Sequence, residues 1–315
     1  MLFLDWLYET NSKLSLNDSV LEKLQIRRFA RGCIKLVTNT LLPILFRITR
    51  SETDCITAPT LPLIVSLTSF PNRISRVWMT IESILRQTSK PKHIILWLSR
   101  QQFPNEEHDL PKSLLKQAKR GLIIRFVDGD ARSHKKYYYA FKEYTEYRIV
   151  TIDDDLLFPS SYLSGIYECS LQHPNDVIAN FGSKFYWNES KQCITEISDI
   201  VSSEEHKYGL FFGSGAGTLF EPKALIKHLD MLDKIMELCP TADDVYLNAL
   251  IRICGFGVTF YRKNPLLTIV NTKDEKLYDY NGNYNDAESP NANQVRTIVR
   301  YMDAKFGRNP FAESY

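Results

Sequence analysis

The sequence has no hydrophobic run long enough to cross a membrane. The longest apolar stretch near the amino terminus covers residues 41–46 and is interrupted by Pro43, whereas a helix needs roughly 20 apolar residues to span a bilayer. The opening segment MLFLDWLYET has no basic lead and contains acidic residues early. We therefore expect neither a membrane-spanning helix nor a secretory signal.

The sequence also has few cysteines and little net charge. No two of the six cysteines form a C-x-x-C pair, which argues against zinc ribbons and thioredoxin-like chemistry. Several of them, such as Cys254, lie in apolar stretches typical of core positions, so we expect a reducing compartment, the cytoplasm. The 39 Lys and Arg residues against 37 Asp and Glu leave a net charge of +2. Such a balance gives no strong field for nucleic acid, and we expect no nucleic-acid partner.

The first 60 residues differ from the rest and predict a basic, helical N-terminal extension. Between residues 21 and 50, cations alternate with apolar residues in a helical pattern. One interpretation is a helix that lies peripherally on the anionic inner face of a membrane. The other is a helical appendage packed on the main domain, or an oligomer contact, and the pattern fits both equally. Residues 51–62, closed by Pro59 and Pro62, predict a linker.

A regular alternation of strand and helix begins at Leu63. Continuous apolar runs predict strands that are buried on both faces, and helical periodicity predicts helices between them. This order predicts an α/β domain with a mostly parallel central sheet and helices on both faces. The predicted strands are 63–67, 93–98, 122–127, 148–152 and 177–181, and the predicted helices are 75–88, 111–120, 134–147 and 160–173.

The pattern becomes less regular after residue 182. It predicts helices near 222–238 and over 243–253, and a strand at 257–262. Residues 278–293 are rich in Asn, Asp, Tyr and Gly and predict a long loop before a last helix at 294–306. The chain is thus expected to have three parts: the extension (1–60), the α/β domain (61–270), and a C-terminal loop and helix (271–315).

Three consecutive acids follow the fourth predicted strand. Asp153, Asp154 and Asp155 come directly after RIVTI, at the carboxyl end of a strand, where ligand sites in open α/β sheets collect. Neighbouring carboxylates repel one another, and the alternate pair Asp153 and Asp155 suits a hard divalent ion that also holds phosphate oxygens. A solvated acidic turn before a helix is the alternative. The buried strand before the acids and the apolar residues after them favour the metal site.

A second acidic pair, Asp243-Asp244, opens the helix predicted over 243–253. The helix dipole stabilises acids in a first turn, which is a purely structural explanation of the pair. Alternatively, one acid caps the helix while the other faces the site. That second acid would then be a general base that accepts a proton from a hydroxyl group.

Three further polar segments are candidates for ligand binding. Glycines between the apolar pieces LFF and TLF permit close approach of a ligand, although an ordinary tight turn explains them equally well; without a following Lys they form no P-loop. Cations before the fourth strand suit a diphosphate or a solvated face. The segments are Gly213, Ser214, Gly215, Ala216 and Gly217; Arg132, His134, Lys135 and Lys136; and, after the first strand, Thr68, Ser69, Pro71 and Arg73.

Together these segments resemble the family 2 glycosyltransferases and related enzymes of the GT-A fold. IVSLTSFPNR is similar to the family's first strand and nucleotide loop, TIDDD to its D-x-D motif, GSGAGTLFEPKAL to its acceptor-side segment, and TADDVYLNAL to its E-D-x-x-L motif. The resemblance covers about residues 62–262. It implies a GT-A-like fold and metal-dependent transfer of a sugar from a nucleotide-sugar donor to a hydroxyl group of a glycan or lipid-linked acceptor, in surface polysaccharide or glycoconjugate synthesis.

The resemblance also implies roles for individual residues. Asp155, with Asp153, would hold Mn²⁺ or Mg²⁺, and Asp244 would be the catalytic base. Asp243 replaces the family's usual Glu and is the alternative base. At the end of the second strand the family has acids, whereas this chain has Leu98-Ser99-Arg100, so Asp128 or Asp130 is expected to replace them. The implied donor-binding residues are Thr68, Ser69, Pro71, Arg73, Asp128, Lys135, Asp153 and Asp154, and the implied acceptor-side residues are Gly213, Ser214 and Gly215.

Two other functions remain compatible with these patterns. A sugar nucleotidyltransferase also combines an α/β sheet with a metal, but it usually carries a glycine-rich loop and a Lys after the first strand, and LTSFPNR has neither. A non-catalytic, glycosyltransferase-like scaffold at a membrane would explain the basic N-terminal segment. The intact acidic pairs argue against a scaffold.

Overall fold

The computed structural model describes residues 2–13, 26–49, 60–197, 209–261, 267–268, 280–282, 284 and 286–312. The predicted linker therefore lies mostly outside the described residues, as do Lys23 and Cys55. In chain order the elements are α1 (Leu2–Lys13), α2 (Ile26–Ile48), β1 (Thr60–Thr68), α3 (Trp78–Leu85), β2 (Lys90–Ser99), α4 (Lys112–Ala118), β3 (Leu122–Val127), α5 (Lys135–Glu143), β4 (Arg148–Ile152), β5 (Leu156–Leu157), α6 (Tyr162–Gln172), β6 (Asp176–Ala179), β7 (Gly182–Asn188), β8 (Cys193–Ile197), β9 (Leu210–Phe212), β10 (Ala216–Phe220), α7 (Pro222–Leu225), α8 (Leu232–Leu238), α9 (Asp243–Ile253), β11 (Gly257–Phe260), β12 (Leu267–Thr268) and α10 (Pro290–Phe306).

A seven-stranded sheet in the order β11-β6-β10-β4-β1-β2-β3 forms the centre of the molecule. Neighbouring strands are parallel except around β10, which runs antiparallel to both β4 and β6. The predicted mostly parallel α/β sheet is confirmed. Because β10 is reversed, its first residue lies at the edge where β4 ends, and Ala216 pairs with Ile152.

Helices cover both faces of this sheet, as the sequence predicts. Alternate residues of a strand point to opposite faces, so Leu63 and Val65 pack on one side of β1 while Ile64 packs on the other. The first side is covered by residues of α3, α4 and α6, and the second by residues of α5, α9 and α10. The continuous apolar strand runs are thus explained by two separate cores, one on each face.

Two smaller sheets extend the central one. β7 pairs antiparallel with β8 and with β9, and β5 pairs antiparallel with β12. The sequence analysis missed β7, β8 and β9, because a mixed run such as GSKFYWN is neither continuously apolar nor strictly alternating. These strands lead the chain from β6 to the reversed strand β10.

The N-terminal helices pack against the α/β unit. Apolar residues of α1 and α2 form one cluster with Trp78, Met79 and Leu157. The carboxylate of Asp5 accepts hydrogen bonds from the backbone N–H of Ser160 at 2.7 Å and from its hydroxyl at 2.8 Å. The inner side of these helices therefore fits the interpretation of a packed appendage. Among the described residues, no helix has the length and apolar character needed to span a bilayer.

Several predicted boundaries are wrong near the start of the sheet. β1 begins at Thr60 and includes Pro62, so the end of the predicted linker belongs to a strand. Helix α3 begins at Trp78 and not at Ser75, since residues 71–77 form successive turns first. β2 begins at Lys90, where a helix stop was expected. Lys90 is buried, and its ammonium donates a hydrogen bond to the carbonyl of Leu85 at 2.6 Å.

Other boundaries are wrong towards the C-terminus. The helix predicted over 222–238 is broken into α7, a 3-10 turn at Ile226–His228, and α8. The break contains Asp230, whose carboxylate accepts a hydrogen bond from the Tyr246 hydroxyl at 3.1 Å. Helix α10 begins at Pro290 and not at 294, because Ser289 caps it by accepting from the N–H of Ala292 at 3.1 Å. The Ser-Pro start signal was present in the sequence and was overlooked.

Candidate active site

Asp154, the middle acid of the triplet after β4, is buried and its carboxylate is engaged on both oxygens. Ser69 donates to one oxygen at 2.6 Å, and Arg73 Nη1 donates to the other at 2.9 Å. The hydroxyl of Thr80 donates to the backbone carbonyl of Asp154 at 2.9 Å. Burial raises the pKa of Asp154 even beside the Arg73 guanidinium. Asp154 therefore fastens the acidic loop to the segment after β1, which is a positioning role and differs from the direct nucleotide contact predicted for it.

Asp153 and Asp155, the outer acids of the triplet, remain accessible. The Asp153 side chain is 47% exposed and accepts from Lys136 Nζ at 2.8 Å. The Asp155 side chain is 25% exposed and pairs with Arg73 Nη1 at 3.1 Å. Partial burial, followed by the negative charge of Asp153, raises the pKa of Asp155 to about 6. The two outer carboxylates are thus accessible and the middle one is buried, which is the alternation that the sequence predicts for acids at the end of a strand.

Asp243 opens α9 and is buried in a tight polar environment. Its carboxylate accepts from the hydroxyl of Ser214 at 2.6 Å and pairs with Lys136 Nζ at 2.9 Å. Burial alone would raise the pKa of Asp243, but the Lys136 ammonium holds it well below its ordinary value. Asp243 is therefore a fixed anion. The N-cap residue of α9 is Ala242, so neither acid of the pair is the helix cap that the sequence suggested.

Asp244 lies beside Asp243 but in a different electrostatic setting. It is only partly buried, and one oxygen accepts from the backbone N–H of Ser214 at 2.6 Å. Burial, followed by repulsion from Asp243, raises the pKa of Asp244 to about 7. A carboxylate that titrates near neutrality is suited to taking and releasing a proton.

Lys136 joins the two acid clusters. Its buried ammonium lies between Asp153 after β4 and Asp243 on α9. Burial by itself would lower the pKa of Lys136, but the surrounding carboxylates raise it above its ordinary value. The carbonyl of Lys136 accepts from the hydroxyl of Ser66 on β1 at 2.5 Å, which fixes the start of α5 on the sheet. Sequence analysis included Lys136 among nearby cations but selected Lys135 for the site.

Lys135 and His134 have other partners. Lys135 is buried and pairs with Asp130 after β3, and burial lowers its pKa. His134 is fully buried: one ring nitrogen is 2.8 Å from the Tyr137 hydroxyl and the other is 2.7 Å from the carbonyl of Cys239. Burial lowers the pKa of His134, so the ring is neutral and braces the segment before α9. Of the predicted cation cluster, Arg132 alone is exposed, and contact of these cations with a diphosphate stays a prediction.

Ser214 ties the glycine-rich turn to two elements, α9 and β4. Its hydroxyl bonds Asp243, its N–H bonds Asp244, and its carbonyl accepts from Thr151 of β4 at 2.5 Å. The next residue, Gly215, accepts from the Asp153 N–H at 2.6 Å. A Cβ atom placed on Gly215 would overlap the Asp153 carboxylate. The turn is therefore more than a connection, because it brings the two acidic clusters together.

The remaining predicted donor-side residues lie along the same edge of the sheet. Thr68 donates to the carbonyl of Trp97 at 2.8 Å, and Pro71 is exposed in the turn that follows. Asp128 is 92% exposed and pairs with Arg100 at 3.0 Å. β3, which precedes Asp128, lies three strands from β4, or roughly 14 Å at about 4.8 Å per strand. Asp128 and Asp155 can therefore contact the same ligand only if that ligand is long.

Phe181 was missed by the sequence analysis as a site residue. It follows β6, its side chain is exposed, and its carbonyl accepts from the N–H of Gly213 at 3.0 Å. An exposed aromatic ring beside the turn that holds Asp244 is a flat apolar surface next to the candidate base. Its sequence signal was weak, because VIANF reads as one apolar strand to its last residue.

The acidic residues fit a divalent cation. Five carboxylates, those of Asp153, Asp154, Asp155, Asp243 and Asp244, share the two cations Arg73 and Lys136, which leaves a charge of −3 (five minus two) when all are ionised. Among the described residues, no three His, Cys, Asp or Glu side chains form a group able to hold a metal by themselves. Mg²⁺ is commonly held by one or two carboxylates together with substrate phosphates, and Asp153 and Asp155 are the two accessible carboxylates of the triplet.

No protein-family model matches the chain, and a search of curated proteins finds no significant similarity. The function of the chain is therefore inferred from the chemistry of the site itself.

Proposed function

We propose that this protein is a metal-dependent glycosyltransferase of the GT-A type, which moves a sugar from a nucleotide-sugar donor to a hydroxyl group of a glycan or lipid-linked acceptor. One observation carries the proposal: two acidic clusters with different properties lie at one edge of the sheet and are joined by Lys136 and Ser214. One cluster suits a metal and a diphosphate, and the other contains a carboxylate that titrates near neutrality.

On the donor side, Asp153 and Asp155 would hold Mn²⁺ or Mg²⁺. Such an ion supplies positive charge that stabilises a departing diphosphate. Asp154 and Arg73 keep the acidic loop in place against the segment after β1. The Arg73 guanidinium also lies beside the partly exposed Asp155, where its positive charge would favour an anionic ligand.

On the acceptor side, Asp244 is the general base. The acceptor oxygen forms a bond to the anomeric carbon of the sugar while the bond from that carbon to the phosphate oxygen breaks, and Asp244 takes the hydroxyl proton. The Ser214 N–H fixes one carboxylate oxygen and leaves the other to accept the proton. Phe181 supplies an apolar face for an acceptor sugar, since rings of this kind pack well on C–H surfaces.

A donor screen tests the proposal. Thermal shifts with a set of nucleotide-sugars and Mn²⁺ identify the donor, and release of nucleoside diphosphate then establishes transfer or donor hydrolysis. A scaffold would release no diphosphate from any donor, with or without metal. A sugar nucleotidyltransferase would instead release pyrophosphate from a nucleoside triphosphate and a sugar phosphate.

The metal assignment is tested on Asp155. We expect Asp155→Asn to fold normally and to lose the Mn²⁺-supported affinity for nucleoside diphosphate in calorimetry. The exposed Asp303 on α10 provides the matched control, and Asp303→Asn should bind like the unaltered chain. Equal affinities for Asp155→Asn and the unaltered chain, with Mn²⁺ present, would contradict the assignment.

A further inference from the structure

We propose that the outer face of α2 is a docking surface for an anionic lipid bilayer. Large apolar side chains are concentrated there: five of the eleven that are exposed in the described residues lie on this one helix. The five are Phe29 (75% exposed), Leu36, Leu41, Ile44 and Ile48 (71% exposed). The other six are single residues in separate parts of the chain, and scattered residues of this kind are normal on a protein surface. They are Trp6, Leu171, Phe181, Tyr186, Met231 and Tyr280.

The five residues share one side of the helix. At 100° per residue they fall within an arc of about 140° and extend about 28 Å along the axis. Leu42 and Phe46 are buried on the opposite side, and Ile34 is buried near the edge of the arc, all in the cluster shared with the α/β unit. Helix α2 is thus apolar on two sides, and packing within the chain explains only the inner one.

The net positive charge of α2 indicates which kind of partner binds its outer face. Helix α2 contains Arg27, Arg28, Arg31, Lys35 and Arg47 and no acidic residue. A basic helix with a broad apolar side is typical of helices that lie in the interface of anionic membranes. By the same 100° count Arg47 lies on the outer face and Lys35 on the opposite side, which is the arrangement of an interfacial helix, with its cations mainly away from the apolar side.

The helix is held firmly enough to serve as an anchor. Arg86, which follows α3, is buried and donates to the hydroxyl of Thr49 at 2.9 Å and to the carbonyl of Phe46 at 3.2 Å. The guanidinium of Arg47 stacks over Trp78 at 5.3 Å. The same cluster includes Leu157, two residues after Asp155. Docking through α2 would therefore hold the loop that carries the acidic triplet close to the bilayer.

Vesicle co-sedimentation of the full chain tests this surface. We expect binding to mixed phosphatidylcholine and phosphatidylglycerol vesicles, weak binding to pure phosphatidylcholine, and loss of binding as salt is raised. The double variant Leu36→Gln with Ile44→Gln should bind at least about tenfold more weakly, because two apolar side chains leave the interface. The variant Arg47→Gln should bind about fivefold more weakly, through the loss of one cation on the outer face.

Matched controls come from exposed residues elsewhere. Leu171→Gln with Met231→Gln removes the same number of exposed apolar side chains, and Lys223→Gln removes one exposed cation; both should bind like the unaltered chain. Equal binding by the Leu36 and Ile44 double variant, or equal binding to neutral and anionic vesicles, would overturn the proposal. A lack of vesicle binding by the full chain would also overturn the proposal. This holds both if light scattering shows a monomer and if it shows a dimer that the double variant abolishes.

Discussion

At the scale of single residues, Asp243 and Asp244 show how neighbouring carboxylates acquire opposite properties. Asp243 is buried beside Lys136, which holds its pKa low, while Asp244 receives the repulsion of Asp243 without a direct cation of its own. Adjacent helical residues point about 100° apart, so the two carboxyl groups meet different surroundings. Pairs of titratable groups driven apart in this way are typical of acid–base sites.

We predict that Asp244→Asn lowers kcat roughly 10²- to 10⁴-fold, the usual contribution of a general base, while donor affinity is nearly unchanged. Because the proposed base acts when ionised and its pKa is about 7, kcat/KM of the unaltered chain should rise as pH increases through about 7. Asp243→Asn removes a charge that raises the pKa of Asp244, so the rise of activity with pH should occur at lower pH in this variant. Steady-state kinetics across pH measures both effects. Severe loss in Asp243→Asn with mild loss in Asp244→Asn would reverse the roles.

Lys136 is expected to matter for stability as well as for the site. Lys136→Met keeps the length of the side chain but leaves Asp153 and Asp243 without their common cation. Removing one partner from a buried ion pair typically costs about 3–5 kcal/mol, although the exposure of Asp153 reduces that figure. Urea unfolding measures the change. Lys223, paired with Glu146 on the surface, is the control, and Lys223→Met should change the free energy of unfolding by less than about 1 kcal/mol.

At the scale of secondary-structure elements, the reversed strand β10 determines the geometry of the site. Its antiparallel direction brings the turn before it to the edge where β4 ends. Glycine is needed in that turn at Gly215, where the backbone lies directly against the Asp153 carboxylate. In a fully parallel sheet the same turn would lie at the opposite edge, away from both acidic pairs.

Gly215→Ala should displace Asp153 while leaving the fold intact. The added methyl group overlaps the carboxylate, and the half-exposed Asp153 can move outward to relieve the overlap. We expect Mn²⁺-supported diphosphate affinity to fall by about tenfold or more, since a misplaced ligand weakens the metal site. Gly209 begins the same segment, and a Cβ atom added there would have a single neighbouring atom, at 3.9 Å. Gly209→Ala is therefore the control. Unchanged affinity in Gly215→Ala would show that Asp153 does not contribute to donor binding.

At the scale of the whole molecule, the N-terminal helices belong to the cooperative structure, because α2 shares a core cluster with α3 and β5. The neighbouring residues Leu41 and Leu42 test this directly, being 53% and 0% exposed respectively. Leu42→Ala should lower the free energy of unfolding by about 2–5 kcal/mol, and Leu41→Ala by about 0.5 kcal/mol or less.

The measurement for this pair is urea unfolding followed by near-ultraviolet circular dichroism, which reports the aromatic core of the α/β unit. A normal midpoint for Leu42→Ala would mean that α2 unfolds independently of the sheet. In that case α2 would be only loosely attached to the α/β unit. Docking through α2 would then not hold the acidic loop in place.

The sequence by itself determined six of the seven strands of the central sheet, all except β10, and the location of its acidic residues. Runs such as LIVSL and RIVTI are apolar throughout, and only burial on both faces of a sheet satisfies such a run. Since parallel strands end at one edge, the acids after RIVTI had to lie there. These inferences depend on local composition and a single topological rule, and both are readable without coordinates.

Tertiary structure alone decided which neighbour in each polar pair faces the site. Lys135 and Lys136 have the same chemistry in the sequence, and the start of α5 directs one to Asp130 and the other between Asp153 and Asp243. The reversal of β10, which brings Ser214 to both acidic clusters, has no local signal either. Long-range strand pairing and helix placement set these contacts, and a rotation of about 100° or a change of strand direction would replace every partner.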